Sequence, residues 1–216
     1  MTKLTTPDSK ISEKNKRRII DSAVRAFALN GFKGTSIKQI ADDANLPKTN
    51  VLYYFSSKQT LYTAVLKDIL LVWNSSFDKA TAEDDPAMTL ANYIAEKMEI
   101  SRIHPYSSKV FAMEILRGAS NLNKSNFAEY QAWMKSRVKV IEAWIEQGEI
   151  NAMSAEYLLY HIWACTQHYA DFSAQITGLR GKKMIKADFQ VATRDLIGLI
   201  LTGCGLNVPE QYKVAL

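Results

Sequence analysis

Apolar residues recur in this chain with the period of an α-helix, and the alternation typical of strands is absent. Residues 35–58 are the clearest example. One buried helix face is marked there by apolar residues three or four positions apart, namely Ile37, Ile40, Ala41 and Ala44. Pro47 suits the first turn of the next helix, in which Val51, Leu52 and Phe55 are predicted to point inward. The pattern predicts two short helices joined by a tight turn.

The outward side of the second short helix combines a cation, hydrogen-bonding groups and phenols. These residue types suit contacts with phosphates and base edges in a DNA groove. Free N–H groups at helix N-termini also favour phosphate oxygens. The predicted DNA-binding residues are Thr35, Ser36, Lys48, Thr49, Asn50, Tyr53, Tyr54 and Lys58. An ordinary helical hairpin with a solvated polar face would show the same pattern.

Helical patterns continue along the rest of the chain. A first helix is predicted over residues 13–30, and a fourth begins near Lys58 and carries Trp73 towards its far end. Further helices are predicted over residues 86–103, 105–116, 125–147, 154–177 and 187–202. Capping signals support these boundaries, because Ser36 and Gln39 have capping-box spacing and Asp85 precedes Pro86. The predicted fold class is all-α, with about nine helices.

Positive charge is concentrated at the amino-terminal end. Residues 1–58 hold 11 Lys and Arg against 5 Asp and Glu, whereas residues 59–216 hold 16 against 17. The cationic surplus therefore lies with the predicted helical hairpin, as a nucleic-acid-binding surface requires. A solvated basic tail at residues 14–18 would contribute to the same balance.

Composition and motifs argue against several other classes of protein. Two cysteines, Cys165 and Cys204, are too few for a disulfide framework or a zinc cluster, so neither a metal site nor a cofactor is expected. No apolar run approaches the roughly 18 residues of a membrane span, and no signal-peptide pattern is present, so a cytoplasmic location is expected. Gly-x-Ser-x-Gly, glycine-rich phosphate loops and His-Glu-x-x-His are absent, so we expect no catalytic residues and no enzymatic activity.

The last two predicted helices carry an excess of apolar surface. Residues 154–177 have apolar and aromatic side chains nearly all round the helix, and residues 187–202 are equally apolar. Such helices must be buried on several sides. Pairing both with their copies in a second subunit would make a four-helix interface, which predicts a homodimer. A monomer with a central C-terminal helix is the alternative.

Several short segments resemble the amino-terminal domain of TetR-family transcriptional repressors. They are Gly31-Phe32-Lys33-Gly34-Thr35, Ile40-Ala41, Leu52-Tyr53-Tyr54-Phe55, Ser57-Lys58 and Leu61-Tyr62. The resemblance implies homodimers of nine or ten helices with a helix-turn-helix DNA-binding domain, here residues 1–58. It implies an effector-binding and dimerisation domain over residues 59–216.

The resemblance also gives roles to residues of the third helix. It assigns Tyr53 and Tyr54 to the groove edge and the DNA backbone. Residues at the start of a recognition helix usually meet base edges. Asn50 is therefore predicted to pair with adenine, and Lys48 with guanine or phosphate.

The remainder of the chain resembles one branch of this family, the pyrimidine-utilisation repressors that sense uracil or thymine. Residues 66–73, 113–116 and above all 162–172 carry that resemblance. It implies a repressor of pyrimidine metabolism that leaves a palindromic operator when uracil or thymine binds. Two positions depart from the relatives. Pro47 stands where the family more often has Ser, and Arg117 would alter the choice of effector if it pointed inward.

Four residues form the predicted effector site: Trp73, Met113, Trp163 and Gln167. Trp163 and Gln167 share a helix face because they are four residues apart. The Gln167 amide offers one acceptor and two donors to the imide edge of a pyrimidine. The two indoles would stack on or bracket the ring, and Met113 would fill the remaining volume. From spacing alone, core tryptophans and a satisfied buried amide are the simpler interpretation; the resemblance favours an effector site.

Three classes of function remain distinguishable. An inducible repressor binds one palindromic site as a dimer and is released by a ligand. A ligand-independent architectural DNA binder shows little sequence preference, and a helical enzyme turns over a substrate without DNA. Within the first class, a repressor of an efflux or other catabolic operon that senses a different molecule is the main competitor.

Overall fold

A computed structural model describes residues 7–75, 77–122 and 124–213; the side chains of residues 7–10 and 124–126 lie outside the description. The described chain forms ten α-helices and one 3-10 turn (Glu210–Tyr212), without β-strands. The helices are α1 (Pro7–Gly34), α2 (Ile37–Asp43), α3 (Lys48–Tyr54), α4 (Lys58–Asn74), α5 (Pro86–Ile103), α6 (Pro105–Leu116), α7 (Lys124–Glu146), α8 (Ala155–Asp171), α9 (Ser173–Arg180) and α10 (Lys186–Gly203). The predicted all-α class is confirmed.

The tenth helix arises because the segment predicted as one helix over residues 154–177 is two. Phe172, with φ −105° and ψ 23°, ends α8 and precedes α9. Neither proline nor glycine marks this break, and the Phe172 ring stacks on His168 with 4.9 Å between ring centroids. Gly178 lies inside α9, and Gly181, with φ +69°, ends that helix.

The described chain divides into two compact units. The first comprises Met1–Ile69 and Lys109–Asn123. Its core is built from one face each of α1 to α4, with Phe27 and Tyr62 packed edge to face at 4.8 Å between ring centroids. The predicted capping box of α2 is confirmed, because Ser36 and Gln39 satisfy each other's backbone N–H groups. At the start of α4 the Ser57 hydroxyl accepts from the Thr60 amide.

The second unit comprises Leu70–Ser108 and Lys124–Leu216. Helix α5 is central in it, packing against both α8 and α10. The predicted start of α5 is confirmed, since Asp85 accepts from the Met88 amide and Pro86 occupies the first turn. Phe77 and Tyr93 stack in the core at 4.8 Å between ring centroids, beside the fully buried Trp144.

Within the described ranges, no helix has the length and apolar character needed to cross a lipid bilayer.

Candidate DNA-binding and effector sites

The turn between α2 and α3 is fastened to α1. Arg18 donates from its guanidinium to the carbonyl oxygens of Ala44 (2.6 Å) and Asn45 (3.3 Å). Asn45 adopts φ +50°, a left-handed conformation that asparagine tolerates in tight turns. Pro47 then forms the N-cap of α3. The direction in which α3 leaves the turn is therefore set by contacts with α1.

Helix α3 presents a polar ridge to solvent. Val51 and Phe55 are buried as predicted, but the prediction for Leu52 is wrong, because 38% of its surface is exposed. Lys48 and Thr49 are exposed and Asn50 is half-buried. The seven residues of α3 make only two turns, so the helix buries a narrow face. Leu52 lies at the edge of that face and is partly exposed for this reason.

The two tyrosines of α3 differ in their surroundings. Tyr53 is 83% exposed, whereas Tyr54 is half-buried. Their rings meet edge to face at 5.1 Å between centroids. The Lys16 ammonium of α1 lies 5.9 Å from the centroid of the Tyr54 ring. A phenol and a cation from different helices thus lie side by side near the end of α3.

Thr35, Ser36 and Lys58 are occupied with protein contacts around the start of α2. The Thr35 hydroxyl is buried and donates to the Ala26 and Gly31 carbonyls at 3.1 and 2.8 Å. The Lys58 ammonium donates to the Phe32 and Thr35 carbonyls, both at 2.9 Å. The Ser36 hydroxyl accepts from the Gln39 amide. These side chains position the segment that leads into the helix-turn-helix.

The predicted effector residues fall in two groups. Trp73, near the end of α4, is buried, and Trp163 and Gln167 are half-buried one turn apart on α8; all three belong to the second unit. Met113 lies on α6 in the part that belongs to the first unit.

Trp163 is anchored in an aromatic cluster. Its indole N–H donates to the Tyr93 hydroxyl at 2.6 Å, and its ring lies 6.0 Å from Tyr130 and 6.1 Å from Trp133 between centroids. Burial raises the pKa of Tyr93, and it raises the pKa of Tyr130 to about 12. Both phenols are therefore neutral at physiological pH.

A buried lysine, which the sequence interpretation missed, adjoins Trp73. Lys97 on α5 is only 4% exposed, and its ammonium lies 4.5 Å from the centroid of the Trp73 ring. Burial lowers the pKa of Lys97 to about 7, and the Asp171 carboxylate partly opposes that shift. Asp171 itself accepts from the Ser108 hydroxyl at 2.5 Å. The signal was readable, since Lys97 follows Tyr93 at helical spacing on the apolar face of α5.

In the first unit, Glu114 joins α6 to α4. Its buried carboxylate accepts from the Tyr62 hydroxyl (3.1 Å), from the Asn121 amide N–H (2.6 Å) and from the Asn121 side chain (2.9 Å). Arg117, three residues on, is exposed, and its guanidinium nitrogens lie 3.6 Å from where a Cβ of Gly31 would be. Arg117 therefore lies beside the carboxyl-terminal part of α1.

The outer surfaces of α8 and α10 are strongly apolar. Tyr157, Phe172, Val191 and Leu199 are all exposed, Leu199 to 69%. A groove of about 500 Å³ runs between these helices and is lined by Cys165, His168, Tyr169, Leu196 and Leu199 among others. Large exposed apolar patches of this kind mark interaction surfaces.

Comparison with known proteins covers almost the whole chain. Residues 19–65 match the family described as "Bacterial regulatory proteins, tetR family", and residues 66–207 match "YcdC-like protein, C-terminal region". The chain is 38% identical to the HTH-type transcriptional regulator RutR of Escherichia coli K12 over 180 residues, which cover 83% of this chain and 84% of RutR.

Two crystal structures share the fold. A mutant of HlyIIR has a TM-score of 0.64 at 19% identity, over 89% of this chain and 98% of that one. AibR, solved with isovaleryl coenzyme A and operator DNA, has a TM-score of 0.59 at 18% identity, over 86% of this chain and 97% of that one.

Proposed function

Because this chain belongs to the TetR family of bacterial regulatory proteins, we propose that it is a repressor of pyrimidine metabolism, bound to a palindromic operator as a homodimer and released by uracil or thymine. It is a ligand-responsive DNA-binding regulator by family. The 38% identity with RutR over most of both chains supports the pyrimidine branch. Residues 1–58 are the proposed DNA-binding domain, and residues 59–216 bind the effector and the second subunit.

The exposed ridge of α3 supports the DNA-binding part of this proposal. Lys48, Thr49 and Tyr53 are free to reach phosphates or base edges, and Asn50 stands beside them at the start of the helix. Tyr54 and Lys16 together suit a backbone phosphate.

The remaining three DNA-binding residues act at the start of α2 and α4. Ser36 is exposed at the N-cap of α2, where a phosphate oxygen is favoured by free N–H groups. Thr35 and Lys58 contribute by holding this segment through their bonds to carbonyl oxygens. Ser36 is therefore proposed to contact the DNA, whereas Thr35 and Lys58 hold the DNA-binding surface in place.

The effector site is proposed around Trp73, Trp163 and Gln167 of the second unit. Indoles suit stacking on a flat pyrimidine ring, and the Gln167 amide complements its imide edge. The observation that carries this assignment is the half-buried Gln167, one turn from Trp163 on the same face of α8.

Helix α4 supplies a route between the two functions. It begins at Lys58 in the first unit and ends just after Trp73 in the second. Effector binding at Trp73 would bias the position of Lys58, and through it the separation of the two recognition helices, which must match half-sites about 34–36 Å apart. A coupling free energy of about 1–3 kcal/mol between the sites is enough for such a switch.

Titration of uracil and thymine into the protein–operator complex tests the effector. We expect both to release the operator from the unmodified protein, and Gln167→Leu to abolish that release while operator binding persists, because leucine removes the imide-pairing amide. Gln131→Leu, at an exposed position of α7, is the matched control and should respond normally. The release is measured by fluorescence anisotropy of labelled operator.

Two outcomes would redirect the proposal. Undiminished uracil binding by Gln167→Leu would refute the role of that amide. Operator binding that ignores both pyrimidines in the unmodified protein, but responds to a cationic drug or another metabolite, would favour a repressor of an efflux or other catabolic operon.

A further inference from the structure

Lys97 is a buried cation at a position where the stability of the fold does not require a charge. Its side chain is almost fully enclosed, and burial lowers its pKa to about 7, so the fold holds the ammonium at a cost. The indole face of Trp73 and the Asp171 carboxylate offset that cost in part. A methionine would fill the same space without the cost. Strongly perturbed groups of this kind concentrate at functional sites.

Neighbouring contacts place Lys97 opposite the predicted effector residues of α8. Tyr93 and Ser101 lie four residues before and four after it, on the same face of α5. The Tyr93 hydroxyl accepts from the Trp163 indole at 2.6 Å, and the Ser101 hydroxyl donates to the Thr166 carbonyl at 2.9 Å. Along α5, Lys97 therefore lies between two contacts with α8, one to Trp163 and one to Thr166. Gln167 is the next residue after Thr166 in the chain.

We infer that the Lys97 ammonium donates a hydrogen bond to a carbonyl oxygen of the effector and so selects a ring that carries an oxygen acceptor there. This inference rests on the proposed function and adds a specificity-determining residue to its effector site. An ammonium has three donors and no acceptor, so an amino group at that ring position would set donor against donor. Uracil and thymine, with two carbonyl oxygens each, fit Lys97 and Gln167 together; cytosine has an amino group in place of one oxygen.

The contact makes effector binding depend on pH. A carbonyl oxygen favours the charged lysine, so the bound form has a higher pKa than the free form, and binding takes up a proton at pH values between the two. In that window the dissociation constant rises with pH, by at most about tenfold per pH unit. Well below pH 7 the lysine is charged in both the free and the bound protein, so affinity no longer changes with pH.

The groups that face Lys97 set the limits of this titration. Helix α8 contributes the Asp171 carboxylate and α4 the uncharged Trp73. On its own helix Tyr93 stays neutral, because burial raises the pKa of its phenol.

Helix α10 also packs against α5 and carries two cations near it. Lys186 and Arg194 line a pocket together with Glu99. Glu99 is two residues after Lys97 and therefore lies on another side of α5. The Glu99 carboxylate is in turn paired with Arg102. These charges therefore belong to a separate cluster.

The test compares the full-length protein with Lys97→Met, Lys97→Arg and, as an exposed control, Lys135→Met. Calorimetry with uracil at about pH 7.5, in two buffers of different ionisation enthalpy, gives the affinity and the protons taken up. We expect the unmodified protein and Lys135→Met to take up a fraction of a proton. Lys97→Met should bind uracil at least about tenfold more weakly, without proton uptake. Lys97→Arg keeps a charged donor and should bind without uptake.

Each outcome decides the inference. Uracil binding by Lys97→Met with unchanged affinity and proton uptake overturns it and leaves the proposed function intact. An unmodified protein that binds operator but no pyrimidine ends both. Melting temperature and operator affinity show that the variants are folded. If Lys97→Met does not fold, the proton counts of the unmodified protein and Lys97→Arg decide: uptake that persists in Lys97→Arg overturns the inference.

Discussion

At the scale of single residues, the contacts of Lys58 support a proposed role in DNA binding by positioning the start of α2. The carboxyl-terminal part of α1 leaves carbonyl oxygens without helical partners. Lys58 donates to the carbonyl of Phe32, near the end of α1, and to that of Thr35, just beyond α1. Its ammonium lies 4.6 Å from the centroid of the Phe32 ring. Thr35 supplies the complementary bonds from its hydroxyl. The start of α2 is therefore held by one cation and one hydroxyl.

Replacing the cation tests this positioning role. Lys58→Met should lower the free energy of unfolding by about 1–3 kcal/mol, because two carbonyls lose a charged donor. It should weaken operator and random DNA alike, with an unchanged salt dependence, as measured by anisotropy over a range of salt concentrations. Lys33→Met, at an exposed position of the same segment, controls for net charge. A slope of log affinity against log salt that falls by about 0.9 would instead place the Lys58 ammonium on a phosphate.

At the scale of helices, local signals predicted most of the fold. Ser36 with Gln39 and Asp85 before Pro86 mark helix starts by chemistry within one turn, and the structure has both. The break at Phe172 has no such signal. Beside it, the Asp171 carboxylate accepts from Ser108, which is 63 residues away in the chain. Tertiary contacts between residues distant in sequence were not predictable from the chain.

The proposed effector site was likewise predictable only where its residues are close together in the sequence. The i, i+4 spacing of Trp163 and Gln167 on one helix face was predicted, and both residues lie half-buried on α8. The proximity of Lys97 to Trp73 joins residues 24 positions apart, on α5 and α4. In the sequence, the one sign of this contact was a charged residue, Lys97, on the apolar face of α5.

A substitution in helix α3 can distinguish a loss of overall DNA affinity from a loss of sequence preference. Asn50→Ala should weaken operator binding by about 1–3 kcal/mol and random-DNA binding much less, because a bidentate amide–adenine pair is lost at one base. Competition binding with operator and random duplexes measures both. Asn207→Ala, exposed in the second unit, should change neither. Equal weakening on the two duplexes would show that Asn50 contacts the DNA backbone.

At the scale of the whole molecule, a palindromic operator requires two recognition helices at a fixed spacing, and each chain supplies α3 as one of them. The apolar surface of α8 and α10 is the best candidate for holding two copies together, since a stable interface buries about 1,200–2,000 Å² and is apolar at its centre. The groove lined by Tyr169, Leu196 and Leu199 gives that surface a place for a partner's side chains.

A charge placed on that surface should separate the subunits and expose how far operator binding depends on them. Leu199→Glu should yield monomers in sedimentation velocity, because two symmetry-related carboxylates would be buried without partners. Operator affinity should then fall towards that for random DNA, since each half-site is bound singly, while uracil binding within each subunit persists. Leu29 is also 69% exposed but lies on α1, so Leu29→Glu is a matched control and should remain dimeric. A Leu199→Glu protein that stays dimeric would place the interface on another surface.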